Sequence, residues 1–201
     1  VLYEGSREIQ LPQAEQPMES YYVYGPDGEV TILSTAGEAI SLAYEISGTV
    51  TGESGAYVWR KDKINTKNQI MAIEASPVTE DKNSLAVCLD TILAYEGIMR
   101  NSEYMLTQGK TVQEVLQENL ENVQVLDLSG CTLDSVLYYP DREIPVLAML
   151  GDGNAVLIIG FNEKNVVLMN PETDKVYKMG MNDAADWFTE NGCHFISYVK
   201  K

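Results

Sequence analysis

The residues of this chain that could do chemistry together are one thiol, two carboxamides and one imidazole. They are Cys88, Asn154, Asn170 and His194, the last being the chain's single histidine. A thiol becomes a nucleophile as its thiolate, and the partial positive charge of a helix N-terminus favours that form. Cys88 falls near the start of "SLAVCLDTILAYEG", which reads as a helix. Leu85, Cys88, Leu89, Ile92 and Leu93 share one face, Ser84 serves as N-cap and Gly97 as the stop. The same spacing also suits Cys88 as a small core residue. Asn154 heads the apolar run "AVLIIGF" and Asn170 closes "NVVLMNP". An amide has no proton-accepting nitrogen near neutral pH, so neither asparagine can serve as a general base. His194 adjoins Cys193, but neighbouring residues of a strand point to opposite faces and do not form a dyad.

The elements that must position these groups change character along the chain. Residues 1–19, with Pro12 and Pro17, read as an extended lead-in. In "YYVYGPDGEVTIL", Tyr22, Tyr24, Val30 and Ile32 predict one apolar face of a hairpin around Gly25–Gly28. A helix follows, with Thr35 and Glu38 as a capping box and Gly48 as its end. Two short strands flank Gly52–Gly55, and Trp59 reads as a core anchor. Residues 20–73 therefore predict a small ββαββ module, and the polar stretch 74–83 a boundary or a crossing. Over 74–201, helices come first, including one capped by Thr111 and Glu114 and a shorter one near 132–139. Past Pro145 come strands with short, antiparallel connections and a helix over "NDAADWFTEN". Helices followed by a sheet make an α+β layout.

Composition narrows the classes of function. The chain has 201 residues, 45% of them hydrophobic, enough for a packed core. Its net charge of −16 argues against nucleic-acid and anionic-membrane partners, which need a cationic footprint. The sequence has no apolar run long enough to span a membrane. It begins at Val1 without a signal-peptide pattern, as expected of a mature or trimmed chain. Cys88, Cys131 and Cys193 are too scattered for a disulfide framework or a zinc site, so free thiols are expected. Gly151-Asp152-Gly153-Asn154 lacks the spaced carboxylates of a calcium loop and reads as a hairpin turn. No cofactor and no metal are expected.

A cysteine-bearing helix, further helices, a Pro-led strand, a tight turn, a long apolar strand ending Gly-Phe and then "VVLMNP" resembles the papain-like cysteine peptidase superfamily. More closely it resembles the bacteriocin-processing-type peptidase domains of Gram-positive bacteria, over about residues 78–199. The resemblance implies a papain-like α+β fold with Cys88 at the nucleophile's position, Asn154 at the histidine's and Asn170 at the orienter's. Where the family builds an oxyanion hole upstream of the cysteine, Asn83 is the available amide donor. The family's Cys-Gly is here Cys88-Leu89. With Asn154 in place of a base, the expectation is an inactive, degenerate domain acting as a binding or scaffolding module. The partner expected is a peptide or cell-envelope component, outside a Gram-positive-type cell. Two rival expectations are an active cysteine peptidase or transpeptidase using Cys88, with His194 or a partner-supplied base, and a purely structural assembly domain.

Overall fold

The computed structural model describes residues 19–61 and 69–201. The expected lead-in over 1–19 thus lies almost wholly outside the described residues. The first sheet has the order β2-β1-β3-β4, made of β1 (Tyr21–Tyr24), β2 (Val30–Leu33), β3 (Thr49–Thr51) and β4 (Tyr57–Arg60). Its register places Tyr22 against Ile32 and Thr51, and Tyr24 against Val30 and Thr49. Directly paired residues share a face. The opposite face, with Tyr21, Val23 and Val50 buried, receives helix α1 (Ala36–Ile46) through Ala36, Ala39, Ile40 and Ala43. The Thr35 hydroxyl caps α1 by accepting from the Glu38 N–H, and Ser47 ends it in the left-handed region.

A two-residue strand, β5 (Gln69–Ile70), pairs with β8 of the second sheet. That sheet runs β10-β9-β8-β7-β11-β6 and is antiparallel throughout. Its members are β6 (Val123–Asp127), β7 (Val146–Met149), β8 (Ala155–Phe161), β9 (Asn165–Asn170), β10 (Lys175–Gly180) and β11 (His194–Lys200). The register of β8 on β9 shifts between Ile158 and Gly160, and the Ile159 carbonyl there accepts from the Met71 N–H. The bulge thus hands one acceptor to the incoming segment. Every residue of β8 is buried, as expected of a strand covered on both faces.

The helices of this part are α2 (Ser84–Tyr95), α3 (Ser102–Thr107), α4 (Val112–Asn119), α5 (Leu133–Val136) and α6 (Met181–Glu190). A 3-10 turn at Pro140–Arg142 follows α5. The Thr111–Glu114 capping box opens α4, as its spacing predicts. Helix α2 presents Leu89, Ile92 and Leu93, all fully buried.

The two sheets share one continuous core. Trp59 of β4 is fully buried and donates from Nε1 to the Ser135 carbonyl at 2.8 Å. The Tyr139 hydroxyl returns a bond to the Val58 carbonyl at 3.2 Å. No described helix is long and apolar enough to cross a membrane.

Candidate functional site

The N-terminus of α2 meets the head of β8, and the residue that makes the meeting is Ser84. Asn83 is the N-cap, accepting from the Ala86 N–H through Oδ1 at 2.9 Å. Ser84 is therefore the first residue of the helix instead of its cap. At that place a side chain is not needed by its own helix and can reach outward. The Ser84 hydroxyl donates to Asn154 Oδ1 at 3.2 Å and accepts from the Ala155 N–H at 3.0 Å.

Asp152 sets the orientation of Asn154. Its carboxylate accepts from the Asn154 backbone N–H at 2.9 Å and from Nδ2 at 3.0 Å. A carboxylate only accepts, so it must face the amide's NH2 group, which leaves Oδ1 toward Ser84. The turn that carries Asp152 is the expected hairpin turn, with Gly153 at φ +85° and its N–H bonded to the Leu150 carbonyl at 3.0 Å. Asp152, Asn154, Ser84 and Ala155 thus form a closed clasp of four hydrogen bonds. Ser84 is completely buried at its centre.

Cys88 lies outside this clasp. It is the fifth residue of α2, one turn inside the helix and about 6 Å further along its axis than Ser84. It is completely buried among the core residues, and burial pushes its thiol well above the usual range. Cys88 lies in the second turn of α2, and the cap is Asn83, one residue before the Ser84 expected from the sequence. The Asn83 side chain is occupied as a cap, through its oxygen.

Asn170 sits at the end of β9, the strand paired directly with β8. Leu157 pairs with Met169, so Asn170 stands opposite Val156. Its Oδ1 accepts from the Glu172 N–H at 3.0 Å and shapes the turn before β10. Among the described residues no hydrogen bond joins Asn170 to Asn154. His194 pairs with Met149 of β7, which pairs with Ala155 of β8, placing it roughly 10 Å from the head of β8 at the backbone. Its exposed ring lies over Gly192, where an added Cβ would come within 2.8 Å of Nε2.

Electrostatics do not favour an anionic nucleophile here. Around α2 the nearby cation, Lys82, is paired with Asp90 at 2.5 Å, and Asp90 also accepts from the Ser102 N–H at 2.8 Å. Burial likewise raises the Cys131 thiol from 9.0 to about 11. Among the described residues no cluster of His, Cys, Asp and Glu could hold a metal ion. A cleft of about 480 Å³ runs beside α2, lined by Ile73, Val87, Asp90 and Tyr95 among others.

Sequence reasoning passed over Ser84 because a serine before an apolar helix reads first as a cap. The signal available was Asn83, an equally good cap one residue earlier, which frees the following hydroxyl.

Helices pack on an antiparallel sheet, with a helix N-terminus set against the head of a central strand, and this fold is shared with a solved peptidase structure. Among solved structures the chain is similar to a protein described as a C39-like peptidase from Bacillus anthracis, at TM-score 0.57 and 15% identity. That match covers 67% of this chain and 98% of that one. A second similarity is to a double glycine motif protease from an AMS/PCAT transporter, solved in complex with the leader peptide. It has TM-score 0.45 and 14% identity, covering 67% of this chain and 100% of the other. No protein-family model matches the sequence, and no curated protein matches it.

Proposed function

We propose that this chain is a degenerate papain-like domain without peptidase activity, retained as a binding or scaffolding module. In this reading Ser84, not Cys88, stands at the nucleophile's place, and Asn154 stands at the histidine's. The observation that carries it is the buried Ser84 hydroxyl, whose proton is directed at an amide oxygen. That oxygen cannot take the proton away, so no alkoxide forms. A general base supplies roughly 100- to 10,000-fold in rate, and the clasp contains none. The completely buried Oγ also has no open side from which a carbonyl carbon could approach.

The partner in this reading is a peptide or a cell-envelope component, met outside a Gram-positive-type cell. The closed clasp also favours a second reading, a purely structural domain with no ligand at this place.

Hydrolysis of fluorogenic peptides and peptidoglycan fragments, read together with iodoacetamide labelling of the native chain, tests the proposal. Product formation is expected to stay at background, with Cys193 labelled and Cys88 protected. Turnover that disappears in Ser84→Ala or Cys88→Ala would overturn it.

A further inference from the structure

The clasp closes one end of the second sheet, whereas the outer face of the first sheet carries exposed rings at Tyr24 and Tyr57. We propose that this face binds a neutral oligosaccharide, stacked on Tyr24 and Tyr57 and hydrogen-bonded through Thr49. The inference stands apart from the reading of Ser84, and either can fail without the other.

Strand register puts these residues together. Tyr24 pairs with Thr49, Thr49 with Arg60, and Thr51 with both Tyr22 and Tyr57. Cross-strand partners project from the same side, so the tyrosines, threonines and arginine line one surface. Helix α1 covers the other side of the sheet. Tyr24 is 42% and Tyr57 55% exposed, so both rings are open to a ligand. The surface is indented as well. Tyr24, Thr49, Thr51, Gly55, Tyr57 and Arg60 bound a hollow of about 350 Å³, within the range of small-ligand sites. The Arg60 guanidinium carbon lies 4.6 Å from the Tyr57 ring centre, steadying one wall.

The chemistry of the lining selects the ligand class. A sugar ring has an apolar face of C–H groups, which packs on an aromatic ring, and an edge of hydroxyls. Tyr and Thr hydroxyls both donate and accept, matching that edge. Charge then separates neutral from ionic sugars. The chain carries 30 carboxylates, yet none of the six residues of the hollow is acidic. Among these six residues a cationic ligand finds no counter-ion, and a polyanion meets the repulsion of a chain at −16. The uncharged oligosaccharide is the complementary occupant.

The test is titration of the 15N-labelled chain with hexamers of N-acetylglucosamine, glucose and mannose, with oligogalacturonate as the charged comparison. At least one neutral hexamer should shift amides of β1, β3 and β4 in a saturable way. Tyr24→Ala and Tyr57→Ala should each weaken binding roughly five- to tenfold, with circular dichroism and Tm as in the parent chain. Thr49→Val, which keeps shape and removes the hydroxyl, should weaken it in the same direction. The proposal is overturned if no neutral hexamer moves these amides, or if both tyrosine variants bind unchanged. Tighter binding of oligogalacturonate would also overturn it. So would dilution without sugar moving the same amides, which would mean that a second copy of the chain covers the face.

Discussion

At residue scale the decisive pair is Ser84 and Cys88, four positions apart on one helix and in opposite circumstances. The thiol has only apolar surroundings, and the hydroxyl has two polar partners on another element. Removing the hydroxyl would leave both Asn154 Oδ1 and the Ala155 N–H without that partner. Leaving a buried polar group unsatisfied costs about 1–3 kcal/mol. Ser84→Ala is therefore expected to lower unfolding stability by about that amount in a urea titration, without creating or removing any activity. A loss under about 0.5 kcal/mol, the range of an ordinary surface change, would show that the clasp contributes nothing to stability.

At element scale a single glycine joins the two halves of the fold. Gly37 is the second residue of α1, and a Cβ there would lie 2.5 Å from the Ser129 carbonyl oxygen and 3.4 Å from that of Asp127. Two effects oppose each other in Gly37→Ala. Helix propensity favours alanine by about 1 kcal/mol, whereas a collision with backbone, which cannot swing aside as a side chain can, costs about 1–3 kcal/mol. Collision should win, with a net destabilisation and shifted amide resonances in β6 and the loop after it. An increase in Tm would mean that the α1–loop contact is looser than drawn. The elements missing from the sequence reading are α3, β5 and β6. The six residues of α3 are too few to display a helical period, and β5 exists because the bulge at Ile159 offers it a carbonyl. In β6 the burial sequence is not alternating, so the strand's period-2 signal is missing.

At the scale of the whole molecule the shared core predicts cooperative behaviour. The Trp59 indole donates to the Ser135 carbonyl and the Tyr139 hydroxyl to the Val58 carbonyl, both across what the sequence suggested as a boundary near residue 73. Unfolding followed by tryptophan fluorescence and by far-ultraviolet circular dichroism should therefore give coincident transitions, while separated ones would divide the chain there. Alkaline pH should weaken the whole. The Cys131 thiol moves from 9.0 to about 11 on folding, so the unfolded chain releases a proton that the folded chain keeps. Its contribution is complete below the lower value and is lost as pH rises toward the upper one, at about 1.4 kcal/mol per pH unit. Cys88, also raised by burial, acts with the same sign. Cys131→Ala should flatten the decline measured by denaturant titration across that window, and an unchanged slope would place the thiol in contact with water.

Local pattern was enough for the α+β layout, the hairpin turns, the two capped helices and the apolar strands of the second sheet. Those features arise from periodicity, caps and turn residues within a few positions of one another. The single histidine and the asparagine heading β8 were also legible. Which side chain of α2 meets Asn154 was not, because it depends on where the helix starts to within one residue and on how it rotates against β8. Both are settled by packing: the buried face of α2 fixes its rotation, and Asn83 fixes its first turn. Only the assembled fold could decide that the hydroxyl of Ser84, and not the thiol of Cys88, faces that strand.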